Sequence, residues 1–320
     1  MAWLITGGAG YIGSHVVDAA RSAGFDVVII DDLSTGFEDR VPAGVPFVKA
    51  DMGDRAAVSA LLKQHNITGV VHLAAKKQVG ESVENPFFYW DWNVAKMITF
   101  LDVLVENNVK HFMYSSSAAV YGNPADGRTP MTETSPCEPI NPYGATKLAG
   151  EVLIDSLATI GALDAVSLRY FNVAGAANAT LADRQTLNLV PIALKYMTAG
   201  QQMTVFGTDY STTDGTCIRD YVHVQDLADA HVAAMKHLED GFKGHVRLNV
   251  GTGTGASVLD VLNGIEKESG RAIDWIDTGR RAGDPEALVA NVDAAVRVLG
   301  WKAKRSLTDI VSSAWAAWPK

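Results

Sequence analysis

The chain has 320 residues, 48% hydrophobic and 20% charged, with a formal net charge of −9. That length suits one large globular domain or two, and the acidity argues against nucleic acid or an anionic membrane surface as partner. No stretch approaches the ~18 uninterrupted apolar residues of a membrane span, and Met1 leads into an apolar run without a basic leader, so a cytoplasmic location is expected. Cys137 and Cys217 are too few for a disulfide framework or a thiolate metal site, and the eight histidines lack HExxH or comparable spacing, so no metal is expected.

Residues 2–6, AWLIT, are an apolar β-prone run, and 7–13, GGAGYIG, a glycine-rich turn. Residues 11–24 follow a helical period that stops at Gly24, and 25–32, FDVVIIDD, read as a second buried strand. This is a βαβ unit. Gly7, Gly10 and Gly13 recur every third residue, where missing side chains permit a tight turn, approach of a pyrophosphate to backbone N–H groups, and close packing of helix on strand. A glycine triad alone is weak evidence; here the flanking strand and helix supply the context, and Asp31 lies at about the ~20-residue spacing of a ribose-binding acid. Asp31 and Asp32 would repel a 2′-phosphate, so NAD rather than NADP is expected.

Strand-like runs at 45–51, 69–75, 111–117 and 164–172 alternate with helical stretches near 54–65, 86–107 and 143–159. The alternation predicts an α/β fold, a doubly wound parallel (Rossmann) sheet over 1–172, with a smaller C-terminal substrate-binding lobe in 173–320, some segments of which return to the first domain. Ligands of such sheets lie at the carboxyl ends of the strands, which here carry Asp51, Ala74, Ala75, Ser115 to Ser117 and Asn172. The proline-rich loop 122–142 is expected to rim the site it leads into.

That loop delivers NPYGATKLAGE, residues 141–151. Tyr143 and Lys147, four apart, share a helix face. Taken alone the pair is more often surface covering than chemistry. A fixed cation within ~4–6 Å would nevertheless lower a phenol that ordinarily titrates near ~10, making it a general base for an alcohol proton. Ser117, at the end of the preceding strand, would ordinarily be a turn or cap residue. Beside a nicotinamide its hydroxyl can orient a substrate alcohol and relay its proton. An alcohol losing hydride to NAD⁺ must also lose that proton, which gives Tyr143 a task.

TGGAGYIGSH, DDLSTG, SSSAAVYG, NPYGATK, LRYFN and GTCIRDYVHVQDLADAHV together resemble the extended short-chain dehydrogenase/reductase superfamily, most closely its UDP-glucose (UDP-galactose) 4-epimerase family, from about residue 3 to 318. The resemblance implies a tightly held NAD that oxidises the sugar transiently at carbon 4, with Ser117, Tyr143 and Lys147 as the catalytic residues. It implies cofactor contacts from the glycine loop (Gly7, Gly10, Tyr11, Ile12, Gly13) and from Asp31, Asp32, Leu33, Ser34, Thr35 and Gly36 after the second strand. Asp51, Met52, Leu73, Ala74, Ala75, Lys77, Asn93, Ser115, Tyr143, Lys147 and Tyr170 complete that set. For the nucleotide-sugar it implies Lys77, Ser117, Tyr143, Asn172, Asn188, Leu189, Thr204, Val205, Phe206, Arg219, Arg281, Asp284 and Leu288. An acidic protein that binds a diphosphate needs arginine forks such as Arg219 and Arg281.

Ala119 departs from the threonine of many relatives, removing a hydroxyl near the sugar. The 4,6-dehydratases of the superfamily carry an acidic pair where this chain has Ala118 and Ala119, so dehydration is disfavoured. Epimerases of N-acetylhexosamine, arabinose or glucuronate nucleotides use the same catalytic set and stay open, as does an NAD-binding regulator that lost catalysis, against which the complete set argues. Leu288 aligns with a gatekeeper of the hexose pocket, or else packs in the core beside Val289. The helices at 86–107 and 143–159 resemble the pair that forms a homodimer interface in relatives.

Overall fold

The computed structural model describes residues 2–124, 129–281 and 284–319. In chain order the first half runs β1 (Ala2–Thr6), α1 (Tyr11–Ser22), β2 (Asp26–Asp31), β3 (Phe47–Lys49), α2 (Arg55–His65), β4 (Ile67–His72), α3 (Val79–Glu84), α4 (Pro86–Trp90), α5 (Lys96–Glu106), β5 (His111–Ser117), α6 (Pro142–Thr159) and β6 (Asp164–Tyr170). The second half runs β7 (Asn172–Ala174), α7 (Leu189–Ala199), β8 (Met203–Val205), β9 (Ile218–His223), α8 (Val224–Glu239), β10 (His245–Val250), β11 (Gly255–Ser257), α9 (Val258–Ser269), β12 (Trp275–Asp277), β13 (Ala287–Leu288), α10 (Asp293–Leu299) and α11 (Leu307–Ala317).

Seven strands form one sheet in the order β10-β6-β5-β4-β1-β2-β3, every pairing parallel. Parallel strands need crossover helices, and these cover both faces, which is why the central strands are continuously apolar rather than alternating. Successive side chains of β1 go to opposite faces: Trp3 and Ile5 pack with residues of α1 and α8, Leu4 with residues of α2 and α5. Helix α8 and strand β10 thus come from beyond residue 172 yet complete the first sheet and one of its cores.

The predicted strand at 164–172 proves to be two. β6 ends at Tyr170, and after Phe171 the chain joins a second sheet in which β7 and β11 flank β9 and β13 pairs parallel to it. A separate core of Val190, Leu194, Val261, Leu262, Ile265 and Ile310 packs α7, α9 and α11 beside that sheet. The predicted helix 86–107 also has an internal break: Asp91–Ala95 between α4 and α5 are π-helical. Such bulges rotate the following side chains relative to a regular helix and occur often at functional sites. Among the described residues no helix is long and apolar enough to cross a membrane, and no three His, Cys, Asp or Glu side chains gather to hold a metal.

Candidate active site

The carboxyl ends of β1, β2 and β4 open into a cleft. The glycine loop forms its floor. Gly7 has φ +72°, and a Cβ on Gly13 would lie 2.0 Å from the Gly7 carbonyl oxygen, so α1 can approach β1 this closely only with glycine there. Helix α1 begins at Gly10 without a side-chain cap and without acidic residues in its first turn. Its leading N–H groups and dipole therefore suit an anion.

Beside this loop the Asp31 carboxylate accepts from Ala9 N–H at 3.0 Å and Leu33 N–H at 2.8 Å. A side chain at Gly36 would strike that carboxylate, and Leu33 turns the chain away with φ +59°. Burial raises the Asp31 carboxyl above its ordinary range while the two N–H groups pull it back. A fixed acid beside an uncapped helix N-terminus fits a ribose joined to a pyrophosphate, so the residues present fit a dinucleotide.

Of the expected cofactor residues, Gly7, Gly10, Tyr11, Ile12, Gly13, Asp31, Asp32, Ser34, Thr35, Met52, Leu73, Ala74, Ala75, Lys77, Tyr143, Lys147 and Tyr170 line the cleft. Leu33, Gly36, Asp51, Asn93 and Ser115 are not among the residues that line it. Asp51 is ion-paired with Lys96, and Asn93 is buried, its side chain donating to the Lys76 carbonyl at 3.0 Å and to the Thr146 hydroxyl at 3.0 Å. Residues that the sequence reading missed also line the cleft, among them Lys76, Gln78, Glu81, Trp92, Gln185 and Leu187. Lys76 and Gln78 flank the expected Lys77, so adjacency was an available signal; Trp92 lies within the π-helical turn, which no periodicity reveals.

Helix α6 is placed by its first turn. The Asn141 side chain accepts from Gly144 N–H at 2.8 Å and Pro142 occupies the first position, a strong N-terminal cap. Gly144 allows α6 to approach the turn at 118–121, since a Cβ there would lie 2.5 Å from the Ala119 carbonyl oxygen. Lys147 Nζ donates to the Ser115 carbonyl at 2.8 Å, and the buried Glu151, one turn on, accepts from Ser116 Oγ. These bonds fix the end of β5 against α6. Ser117 Oγ accepts from Ala119 N–H at 3.1 Å, as a cap would, and lies near enough to Tyr143 to pull its phenol down.

The electrostatics bear on the expected base. Burial pushes the Tyr143 phenol above its ordinary value, against the pull of the Ser117 hydrogen bond. Lys147 is itself lowered to about 7 by burial, with Glu151 pulling it back up. Its Nζ lies 6.0 Å from the centre of the Tyr143 ring. For both groups burial is the largest influence, and a cation at that distance would favour the phenolate against it.

Four of the expected substrate residues form one cluster. Arg281 donates to Asp284 through Nε and Nη2, both at 3.1 Å, and its guanidinium lies 5.1 Å from the Phe206 ring centre. Arg219, largely buried, approaches Asp284 at 3.6 Å and donates to the Pro285 carbonyl. Leu288 pairs with Arg219 across β13 and β9, and its side chain packs against a cluster that includes Ala118, Tyr121 and Phe171. Asn172 begins β7 opposite Tyr221 of β9; Asn188 caps α7 in position only, its amide donating to Asp183 at 3.1 Å, and Leu189 follows. Thr204 and Val205 belong to β8, paired with β12. Loop 122–142 reaches this region through Met131, whose N–H donates to the Val289 carbonyl at 2.8 Å; its residues 125–128 lie outside the described residues.

A parallel sheet with a glycine-loop dinucleotide cleft, Tyr143 and Lys147 in its lining and Ser117 at the end of β5, defines an enzyme of the short-chain dehydrogenase/reductase type. The chain belongs to the NAD dependent epimerase/dehydratase family, whose sequence profile matches residues 3–251. It is 41% identical over 321 residues to a UDP-glucose 4-epimerase of Azospirillum brasilense, covering 99% of this chain and 91% of that one. The structure superposes with a TM-score of 0.94 on UDP-glucose-4-epimerase from Stenotrophomonas maltophila with bound NAD and formylated UDP-arabinopyranose, at 39% identity over 99% of this chain and 97% of that one. It matches UDP-glucose 4-epimerase from Brucella ovis in complex with NAD equally well, at 0.94 and 38% identity over 98% and 97%.

Proposed function

We propose that this enzyme interconverts UDP-glucose and UDP-galactose by transient oxidation at sugar carbon 4, with NAD as a tightly held cofactor. The observation that carries this reading is that Tyr143 and Lys147 of α6 line the dinucleotide cleft, with Lys147 bonded to the end of β5 that carries Ser117. When bound, NAD supplies the two-electron redox chemistry at that carbon. The glycine loop and the N-terminus of α1 would hold its pyrophosphate, and Asp31 a ribose diol.

Tyr143 Oη, as the phenolate, would take the proton of the sugar 4-hydroxyl and return it after the opposite face has been presented; the positive charges of Lys147 and of bound NAD⁺ would favour that form against the cost of burial. Ser117 Oγ shares that proton and orients the hydroxyl. Lys147, bound to the Ser115 carbonyl and titrating at about 7, holds a partial charge on the neighbouring turn. Arg219 and Arg281, gathered by Asp284, bind the diphosphate, and the Phe206 ring stacks nearby. Leu288, beside the strand end that carries Ser117, would limit the bulk accepted at the sugar's 2-position, so turnover of UDP-N-acetylglucosamine is the second reading.

Residues 1–172 serve as the cofactor domain and 173–320 mainly as the substrate lobe, with α8 and β10 lent back to the first sheet. A homodimer is favoured by the exposed apolar residues Val83, Phe87, Trp90, Ile98 and Val152 on the α3 to α6 helices; the cytoplasm remains the expected location. The test is incubation with UDP-galactose without added NAD: UDP-glucose should form and no net NADH accumulate. Stoichiometric reduction of added NAD⁺ would make the protein a dehydrogenase instead.

A further inference from the structure

The mouth of the cleft is crossed by a side chain that no role above explains. Lys76 follows β4, and its Nζ donates to Ser34 Oγ at 3.1 Å on the β2 side of the opening. The same ammonium lies 4.1 Å from the ring centre of Trp92 and 5.6 Å from that of Phe88, on the α4 and α5 side. Trp92 in turn carries the Lys96 ammonium at 3.4 Å from its ring centre, and Lys96 is anchored to Asp51. The Lys76 backbone is braced at both ends of its peptide unit: its N–H donates to Asn93 Oδ1 at 2.8 Å and its carbonyl accepts from Asn93 Nδ2 at 3.0 Å.

An exposed lysine ordinarily samples many rotamers in solvent, at a cost in entropy if it is held. This one has partners on two sides of an opening, and Ser34, Lys76 and Trp92 all line the cleft. A cation over an indole face is attracted by the ring quadrupole, most strongly for tryptophan. We propose that Lys76, seated between Trp92 and Ser34, is a latch across the adenosine end of the cleft, controlling both entry and release of the dinucleotide. This rests on the reading that the cleft holds NAD, since Asp31 and Ser34 mark the ribose side.

A latch differs kinetically from an ordinary contact. Loss of a contact raises the rate of release and weakens binding in step, whereas loss of a latch raises release and entry together and leaves affinity nearly constant. The experiment follows exchange of ¹⁴C-labelled NAD⁺ into the holoenzyme, and measures its Kd by equilibrium dialysis, for wild type, Lys76→Met, Trp92→Leu and Lys76→Arg. Release from Lys76→Met and Trp92→Leu should be roughly tenfold faster, with Kd changed by less than about threefold. Lys76→Arg, which keeps cation and reach, should stay near wild type. Unchanged release, or a Kd that rises in step with it, overturns the latch while leaving the NAD reading intact. A wild-type protein that neither carries NAD when purified nor takes up labelled NAD⁺ overturns both.

Discussion

Replacing Gly13 by alanine should damage both the fold and cofactor retention. The added Cβ would lie 2.0 Å from the Gly7 oxygen and 2.8 Å from both the Gly7 carbonyl carbon and the Gly8 Cα. All three neighbours are backbone atoms, so no side chain can rotate away; reaching ordinary contact requires the loop and α1 to separate by roughly 1 Å or more. The Gly7 oxygen also accepts from Gly10 N–H at 3.0 Å, a bond that the separation would weaken. Overpacking of about 1–3 kcal/mol and loss of one hydrogen bond worth about 1 kcal/mol together suggest roughly 3 kcal/mol. For a chain of this length that corresponds to a Tm lower by roughly 5 °C.

A control separates this clash from a general effect of alanine. Gly264 lies inside α9, and a Cβ there meets only Val311 Cγ2 at 3.6 Å, ordinary contact. Gly264→Ala should raise stability by about 0.5–1 kcal/mol, since glycine costs that much inside a helix. Thermal melts by circular dichroism give both values, and NAD released by acid from desalted protein gives retention. Gly13→Ala melting with wild type and carrying as much NAD would refute the reading of the loop.

Tyr143→Phe should keep NAD and UDP-sugar binding yet lose about 10²–10⁴-fold in kcat, because the fold needs the ring and the chemistry the oxygen; near-normal turnover would remove Tyr143 as the base. Leu288→Tyr should lower kcat/KM for UDP-N-acetylglucosamine relative to UDP-galactose, and an unchanged ratio would return Leu288 to packing alone. Burial lowers His15, His223, His231 and His245 to about 4 and His72 to about 3. Between those values and the ordinary 6.5 the unfolded chain binds the extra protons, so stability present above pH 6.5 is lost as pH falls towards 4, by up to about 1.4 kcal/mol per unit for each histidine. Urea midpoints at pH 7.5 and 5.5 should differ accordingly; equal midpoints would contradict the burial of neutral imidazoles.

The sequence was most legible where one physical cause dominates. Strand β1, the start of α1, β5 and α6 fall within a residue of their expected bounds because a glycine turn, a proline cap or a doubly covered apolar strand leaves no competing choice. The step at Phe171 was illegible: both flanking segments are apolar and β-prone, and only the partners, β10 for Tyr170 and β9 for Asn172, distinguish the sheets. Glu151 lay inside the NPYGATKLAGE motif without an assigned role, because its partners are distant in sequence. Arg169 donates to it at 2.9 and 2.6 Å, and Arg247 at 3.0 Å. Lys76 and Trp92 were missed for a related reason, since their contact depends on the π-helical turn between α4 and α5.

Those distant partners bear on how a lysine survives in the interior. A lone ammonium buried beside a tyrosine would shed its proton, and burial does lower Lys147 to about 7. Glu151, one helical turn on, opposes that shift, but an isolated buried carboxylate would be costly in its turn. Arg169, nearly inaccessible, meets it with two hydrogen bonds, and the pair is stapled to β5 through Ser116 and to β10 through Arg247. Burial pushes the Glu151 carboxyl up, but Arg169 and its other partners more than offset this and hold it below its ordinary value, so it stays charged. The site's electrostatics therefore extend along α6 into the central sheet. Lys147 is left poised between its two protonation states near neutral pH, where a change of charge in the adjoining cleft can decide which one it adopts.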